Sequence, residues 1–121
     1  MLHLNTKFNL IVEKKYCIEI TLNRPEVKNA FHAEMIAELI FIFREIEVQK
    51  DRIIGQRKYI LLKSVGDTFC AGADLNWMKQ MKNFSKEENY NDALRLEQLF
   101  ASIRKCSFPV IALVQGGVSL S

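Results

Sequence analysis

An α/β domain with a parallel sheet behind an opening antiparallel hairpin is the fold this chain predicts. Three observations predict it. Two short runs near the N-terminus alternate in polarity with the period of two that a strand imposes, two longer segments repeat their apolar residues at helical spacing, and short apolar runs separate those segments. The resulting order of strand, helix, strand, helix, strand calls for right-handed crossovers, which make neighbouring strands parallel. At 121 residues the chain makes one domain at most, spanning 1–121 and burying roughly two thirds of its unfolded surface.

Taken in order, Phe8, Leu10 and Val12 alternate with Asn9, Ile11 and Glu13, and after Lys14-Lys15 the alternation resumes through Tyr16, Ile18, Ile20 and Leu22. Asn23-Arg24-Pro25-Glu26 ends the second strand, because proline donates nothing to a ladder and holds Arg24 in extended geometry. The loop so formed sits at a strand's carboxyl end, the edge where open α/β sheets bind ligands. From about Ala33 to Gln49, Met35, Ile36, Leu39, Ile42, Phe43 and Ile46 form an apolar stripe that Ile40 and Phe41 widen, with Glu34, Glu38, Glu45 and Glu47 elsewhere around the wheel. Such a helix is expected to pack against more than one element. Lys50 to Lys58 reads as a polar loop, and Tyr59 to Leu62 as a strand covered on both faces. Leu75 to Met81 makes one or two helical turns. Ser85-Lys86-Glu87-Glu88 has the form of a capping box, and Tyr90, Leu94, Leu96, Leu99, Phe100 and Ile103 give the following helix an apolar face to about Arg104. Pro109 to Val114 closes the pattern as a strand.

Composition narrows the classes of function. Hydrophobic residues make up 49% and charged ones 26%, so the chain is neither disordered nor fibrous. A net charge of +3 without a cationic stripe argues against a nucleic-acid partner and fits an anionic small ligand. Cys17, Cys70 and Cys106 are odd in number, widely spaced and without a histidine cluster, which favours reduced thiols in a cytoplasmic compartment over disulfides or a metal site. No signal peptide, transit peptide or membrane span is expected. His3 and His32 have no acidic or cysteine partner nearby in sequence, so neither is a base or ligand candidate.

The chemistry concentrates between Gly66 and Met78, in Gly-Asp-Thr-Phe-Cys-Ala-Gly-Ala-Asp-Leu-Asn-Trp-Met. Ala71, Gly72 and Ala73 fall where a strand gives way to a helix. Small side chains there let a ligand approach the main chain, and the unpaired amides that open a helix can hold a developing negative charge. The arrangement is an oxyanion-hole candidate; the plainer alternative is a tight turn with Asp74 capping the helix. A cap is the role favoured for Asp74 in either case. Trp77 and Met78 belong to the core or wall a pocket, with core the simpler assignment.

Phe69-Cys70-Ala71-Gly72-Ala73-Asp74-Leu75 resembles the F-x-A-G-A-D-L signature of the enoyl-CoA hydratase/isomerase (crotonase) superfamily, and Leu22-Asn23-Arg24-Pro25-Glu26-Val27-Lys28-Asn29-Ala30 resembles its L-N-R-P-x-x-x-N-A segment. Similarity runs on through Pro109-Val110-Ile111-Ala112-Leu113-Val114-Gln115-Gly116. The resemblance implies a crotonase-like (ClpP/crotonase) core of β-β-α repeats. It also implies an acyl-CoA thioester substrate whose carbonyl oxygen is held by backbone N–H groups, the first from Ala73, and no separate cofactor, since coenzyme A is part of the substrate. Ala71, Gly72, Asp74 and Leu75 would flank the ligand, and Glu26, Val27 and Lys28 match the loop along its adenosine part. Lys28 either meets a phosphate or is simply solvated. Gly72 to Lys79 looks most like methylglutaconyl-CoA hydratases of leucine breakdown.

The chain departs from the family's pattern after Gly116. Gly117-Val118-Ser119-Leu120-Ser121 follows where the family continues to a glycine pair and a helix that carries a catalytic glutamate. Ungapped counting puts Ser121 at the second donor, whereas a deletion would make Gly117 the remnant of the glycine run. The expectation is half a site, truncated before the C-terminal helical part and inactive alone, with the trimers or hexamers of family members in doubt. The alternative is an inactive acyl-CoA-binding or subunit-interaction fragment.

Overall fold

In the computed structural model, residues 4–66 and 86–114 are described, with the side chains of 86–90 and 92 outside the description. Asn9–Glu13 form β1 and pair antiparallel with β2, Cys17–Leu22. The alternation read in the sequence is therefore a hairpin, but it buries the opposite face from the one hydropathy favours. Leu10 and Val12 are 45% and 47% exposed, while Asn9 is fully buried. One end of the Asn9 amide is well bonded in this position, although its Oδ1 is buried without a partner among the described residues. Asn9 Nδ2 donates to the Met35 carbonyl at 3.4 Å and to Glu38 Oε1 at 3.1 Å, and the same carboxylate accepts the Lys7 and Phe8 N–H groups at 2.8 and 2.9 Å. Glu38 thus turns from the solvent position that the helical wheel assigned it to fasten the entry of β1.

Helix α1, Ala33–Val48, buries Met35, Ile36, Leu39, Ile42, Phe43 and Ile46, the stripe that the spacing picks out. It packs on the sheet and on the later helix α3, Lys86–Arg104, so it does serve more than one element, and Phe41 at the margin of the stripe stays exposed. Ile18, Ile20 and Leu22 of β2, Ile60, Leu99 and Phe108 complete the core. Each such side chain taken fully out of water contributes about 1.5 to 3 kcal/mol before entropy is counted.

The polar loop expected at 50–58 is in part helical. Lys50–Ile53 forms a turn, α2, that buries Ile53 completely. Behind it Glu13, whose side chain is 5% exposed, binds Arg52 at 2.8 Å and Arg57 at 3.3 Å, tying the end of β1 to this connection.

β3, Tyr59–Ser64, lies parallel between β2 and β4, Val110–Ala112, giving the order β1-β2-β3-β4. Of the expected doubly covered strand only Ile60 is fully buried; Tyr59, Leu61 and Leu62 are half-buried. The reason is the sheet's second face. There Val12, Glu19, Leu61 and Ile111 stand in register across all four strands, Ile111 is 50% exposed, and Glu19 pairs with Lys63 at 2.7 Å. β4 is also shorter than the Pro109 to Val114 run.

Helix α3, Lys86–Arg104, contributes Leu99, Leu96 and Ile103 to the core, whereas Leu94 and Phe100 remain exposed. At the entrance to β4, Glu47 of α1 accepts the Ser107 N–H at 2.6 Å and its hydroxyl at 2.7 Å. Burial raises the pKa of this carboxyl, but the Ser107 hydrogen bonds, the Cys106 thiol and the charge of Lys50 outweigh that and hold it below its ordinary value. Burial pushes the neighbouring Cys106 thiol up. Among the described residues no helix is long and apolar enough to cross a membrane.

Candidate functional site

β2, β3 and β4 run the same way, so Leu22, Ser64 and Ala112 bring their carboxyl ends to one edge of the sheet. The loop after β2 and the chain leaving β3 are neighbours there. Pro25–Val27 make one turn of 3-10 helix, with the proline's fixed φ suited to its start. The Lys28 N–H returns to the Pro25 carbonyl at 3.1 Å, and the turn ends with Lys28 and Asn29 both left-handed, at φ 54° and 58°. Two successive left-handed residues turn the chain back sharply, so Glu26, Val27 and Lys28 stand exposed on the rim while Asn29 and Ala30 go inward.

This turn is braced from within. Asn29 Oδ1 accepts the Arg24 N–H at 2.7 Å, the Asn29 N–H donates to the Arg24 carbonyl at 2.8 Å, and Arg24 Nη1 reaches the Ala30 carbonyl at 2.7 Å. It is also joined to β3: Asn29 Nδ2 donates at 2.9 Å to the carbonyl of Val65, the same residue whose N–H meets the Leu22 carbonyl at 2.9 Å. Gly66 follows at φ +93°, a conformation that side chains resist, with Pro25 beside it at contact distance.

Of the residues singled out in the sequence, Glu26, Val27 and Lys28 are thus gathered on one exposed rim next to the start of the 66–78 stretch. Ala71, Gly72, Ala73, Asp74 and Leu75, with Cys70, Trp77 and Met78, lie outside the described residues, as do the helical turns expected at 75–81 and the segment 115–121. Arg24, Asn29 and Gly66 were not among the candidates. Their signals were present as an asparagine in a proline-bearing loop, where its amide can bond nearby backbone, and a glycine shortly after a strand. His32 makes a T-shaped contact with Phe8 at 4.4 Å between ring centres.

Known proteins share both the sequence and this architecture. The profile of the enoyl-CoA hydratase/isomerase family matches residues 13–119. An enoyl-CoA isomerase/hydratase of Zymoseptoria tritici is 30% identical over 107 residues, covering 84% of this chain and 34% of that protein. The short-chain-enoyl-CoA hydratase of Clostridium acetobutylicum is 29% identical over 110 residues, covering 89% and 39%. In three dimensions, the crystal structure of an enoyl-CoA hydratase from Shewanella pealeana superposes with a TM-score of 0.82 at 32% identity, over 90% of this chain and 39% of the other. The chain accordingly spans well under half the length of the relatives it matches. A family profile that accounts for nearly all of the sequence, on a sheet whose neighbours in space are crotonase folds, places this chain in the enoyl-CoA hydratase/isomerase family.

Proposed function

We propose that this chain carries the thioester-holding half of an acyl-CoA site, from a parent activity that hydrates an α,β-unsaturated acyl-CoA, with methylglutaconyl-CoA as the favoured substrate. In that reaction the oxygen of water bonds to the β-carbon as water gives up one proton, the alkene electron pair moves onto the thioester oxygen, and a proton equivalent to the one released is added to the α-carbon to restore the carbonyl. The Ala73 N–H is assigned to the oxygen while it is negative. A preorganised donor of this kind is worth about 3 to 4 kcal/mol in the barrier. Glu26, Val27 and Lys28 are assigned to the adenosine part, Ala71, Gly72 and Leu75 to the flanks of the thioester, and Asp74 to the cap beside it. The observation that carries the reading is the rim itself: the exposed 26–28 turn stands against the very end of β3, from which the chain runs into Ala71–Leu75. A cytoplasmic location, and assembly with further copies of a family subunit, belong to the same proposal.

A second reading is binding without turnover. It is favoured by the loops at the carboxyl edge, where Glu26 is the one carboxylate among described residues 23–30 and 64–66 and faces solvent. Titration calorimetry with acetyl-CoA, paired with loss of enoyl absorbance from crotonyl-CoA and methylglutaconyl-CoA, separates the two. Binding with hydration supports the first reading, and binding alone supports the second. Absence of both overturns the acyl-CoA site.

A further inference from the structure

We propose that Asn29 is a positioning residue that makes the 26–28 rim and the end of β3 move as one body, so that a ligand held at the rim also sets the chain leading into the thioester turn. The inference rests on the acyl-CoA reading above and names how its two halves are kept in register. Asn29 is fully buried, and a buried amide is costly unless its donor and its acceptor are both satisfied. Here they are satisfied by different loops: Oδ1 takes the Arg24 N–H at 2.7 Å, and Nδ2 gives to the Val65 carbonyl at 2.9 Å.

The position of that second bond gives it its effect. Between β2 and β3 the backbone ladder ends where the Val65 N–H meets the Leu22 carbonyl. Beyond this point the two chains part, one into the Pro25 turn and the other into Gly66. The Asn29 side chain adds a rung beyond the ladder's last, from a residue whose left-handed φ of 58° aims it across the gap. Asparagine tolerates that backbone better than most residues, and no other uncharged side chain of its length offers an acceptor and a donor on one carbon. Arg24 stiffens the arrangement from behind through the Ala30 carbonyl. The rim therefore cannot shift without moving residue 65.

Two variants divide the device. Asn29→Asp keeps the acceptor for Arg24 and loses the donor to Val65, whereas Asn29→Gly keeps the left-handed backbone and loses both arms. The measurement is the amide spectrum of the isotope-labelled 121-residue chain titrated with coenzyme A itself. In the native chain, amides of Glu26 to Asn29 and of Ser64 to Gly66 are expected to shift along one binding curve. In both variants the rim amides should still respond, while the response of Ser64 to Gly66 largely disappears and the shifts of α1 stay native. An undiminished response at Ser64 to Gly66 in Asn29→Asp overturns the proposal. If coenzyme A moves no amide of the native chain, the acyl-CoA reading falls, and hydrogen exchange without ligand decides the positioning role. Asn29→Asp should then speed exchange at Val65 about tenfold, as loss of one supporting hydrogen bond would, and leave Arg24 protected. Unchanged exchange at Val65 sinks it.

Discussion

Gly66 is the residue whose identity the backbone dictates most directly. At φ +93° any side chain is strained, although the space beside Pro25 would admit a methyl group at ordinary contact. Gly66→Ala is therefore expected to cost about 1 to 2 kcal/mol through conformation alone, and a thermal melt that left the midpoint unchanged would show that the turn can relax. At this scale the sequence was half legible. Glu26, Val27 and Lys28 stand exposed together on one turn. Asn29 was visible only as a motif letter, because its role depends on Val65 lying alongside, and that neighbour is 36 residues away in the chain. Glu38 escaped for the same reason, since its partners come from the far side of the hairpin turn.

Among the elements, periodicity told strands from helices but not which strand face goes inward. On β1 hydropathy favoured the face of Leu10 and Val12, yet Asn9 turns inward, where its amide nitrogen bonds the Met35 carbonyl and Glu38. α2 went unseen because four residues are too few to display a helical period. The clearest prediction at this scale concerns the join of α1 to β4. Glu47 has a folded-state pKa below its ordinary 4.5. The stability it contributes is therefore complete above that ordinary value and is lost as pH falls through the lower, folded one. Glu47→Gln should lower the melting midpoint at neutral pH, and the gap from the native chain should close on acidification below pH 4.5. A gap independent of pH would assign the effect to packing.

In the molecule as a whole, the layer order was readable from the alternation of patterns, and the parallel pairs β2-β3 and β3-β4 follow from it. The state of the sheet's second face was not, because a run such as Tyr59 to Leu62 is apolar in both directions whether or not anything covers it. With Leu10, Val12 and Ile111 about half exposed on this one face, it offers an apolar patch that can drive association. The chain is expected to self-associate as its concentration rises. Ile111→Lys, at an exposed site, should suppress this with little change in melting midpoint, as sedimentation velocity at several concentrations would register. A strictly monomeric native chain at all of them would contradict the expectation.

The pairing at the centre of the sheet joins Cys17–Leu22 to Tyr59–Ser64, about forty residues further on. No rung of it can form until the whole intervening stretch has been drawn into a closed loop, and that closure must be met before the contacts return anything. The hairpin and α1 are local and can assemble early, and their side chains already belong to one core cluster. By loop closure the two parallel pairings, β2 with β3 and β3 with β4, are expected to set the pace of folding, not the hairpin or α1.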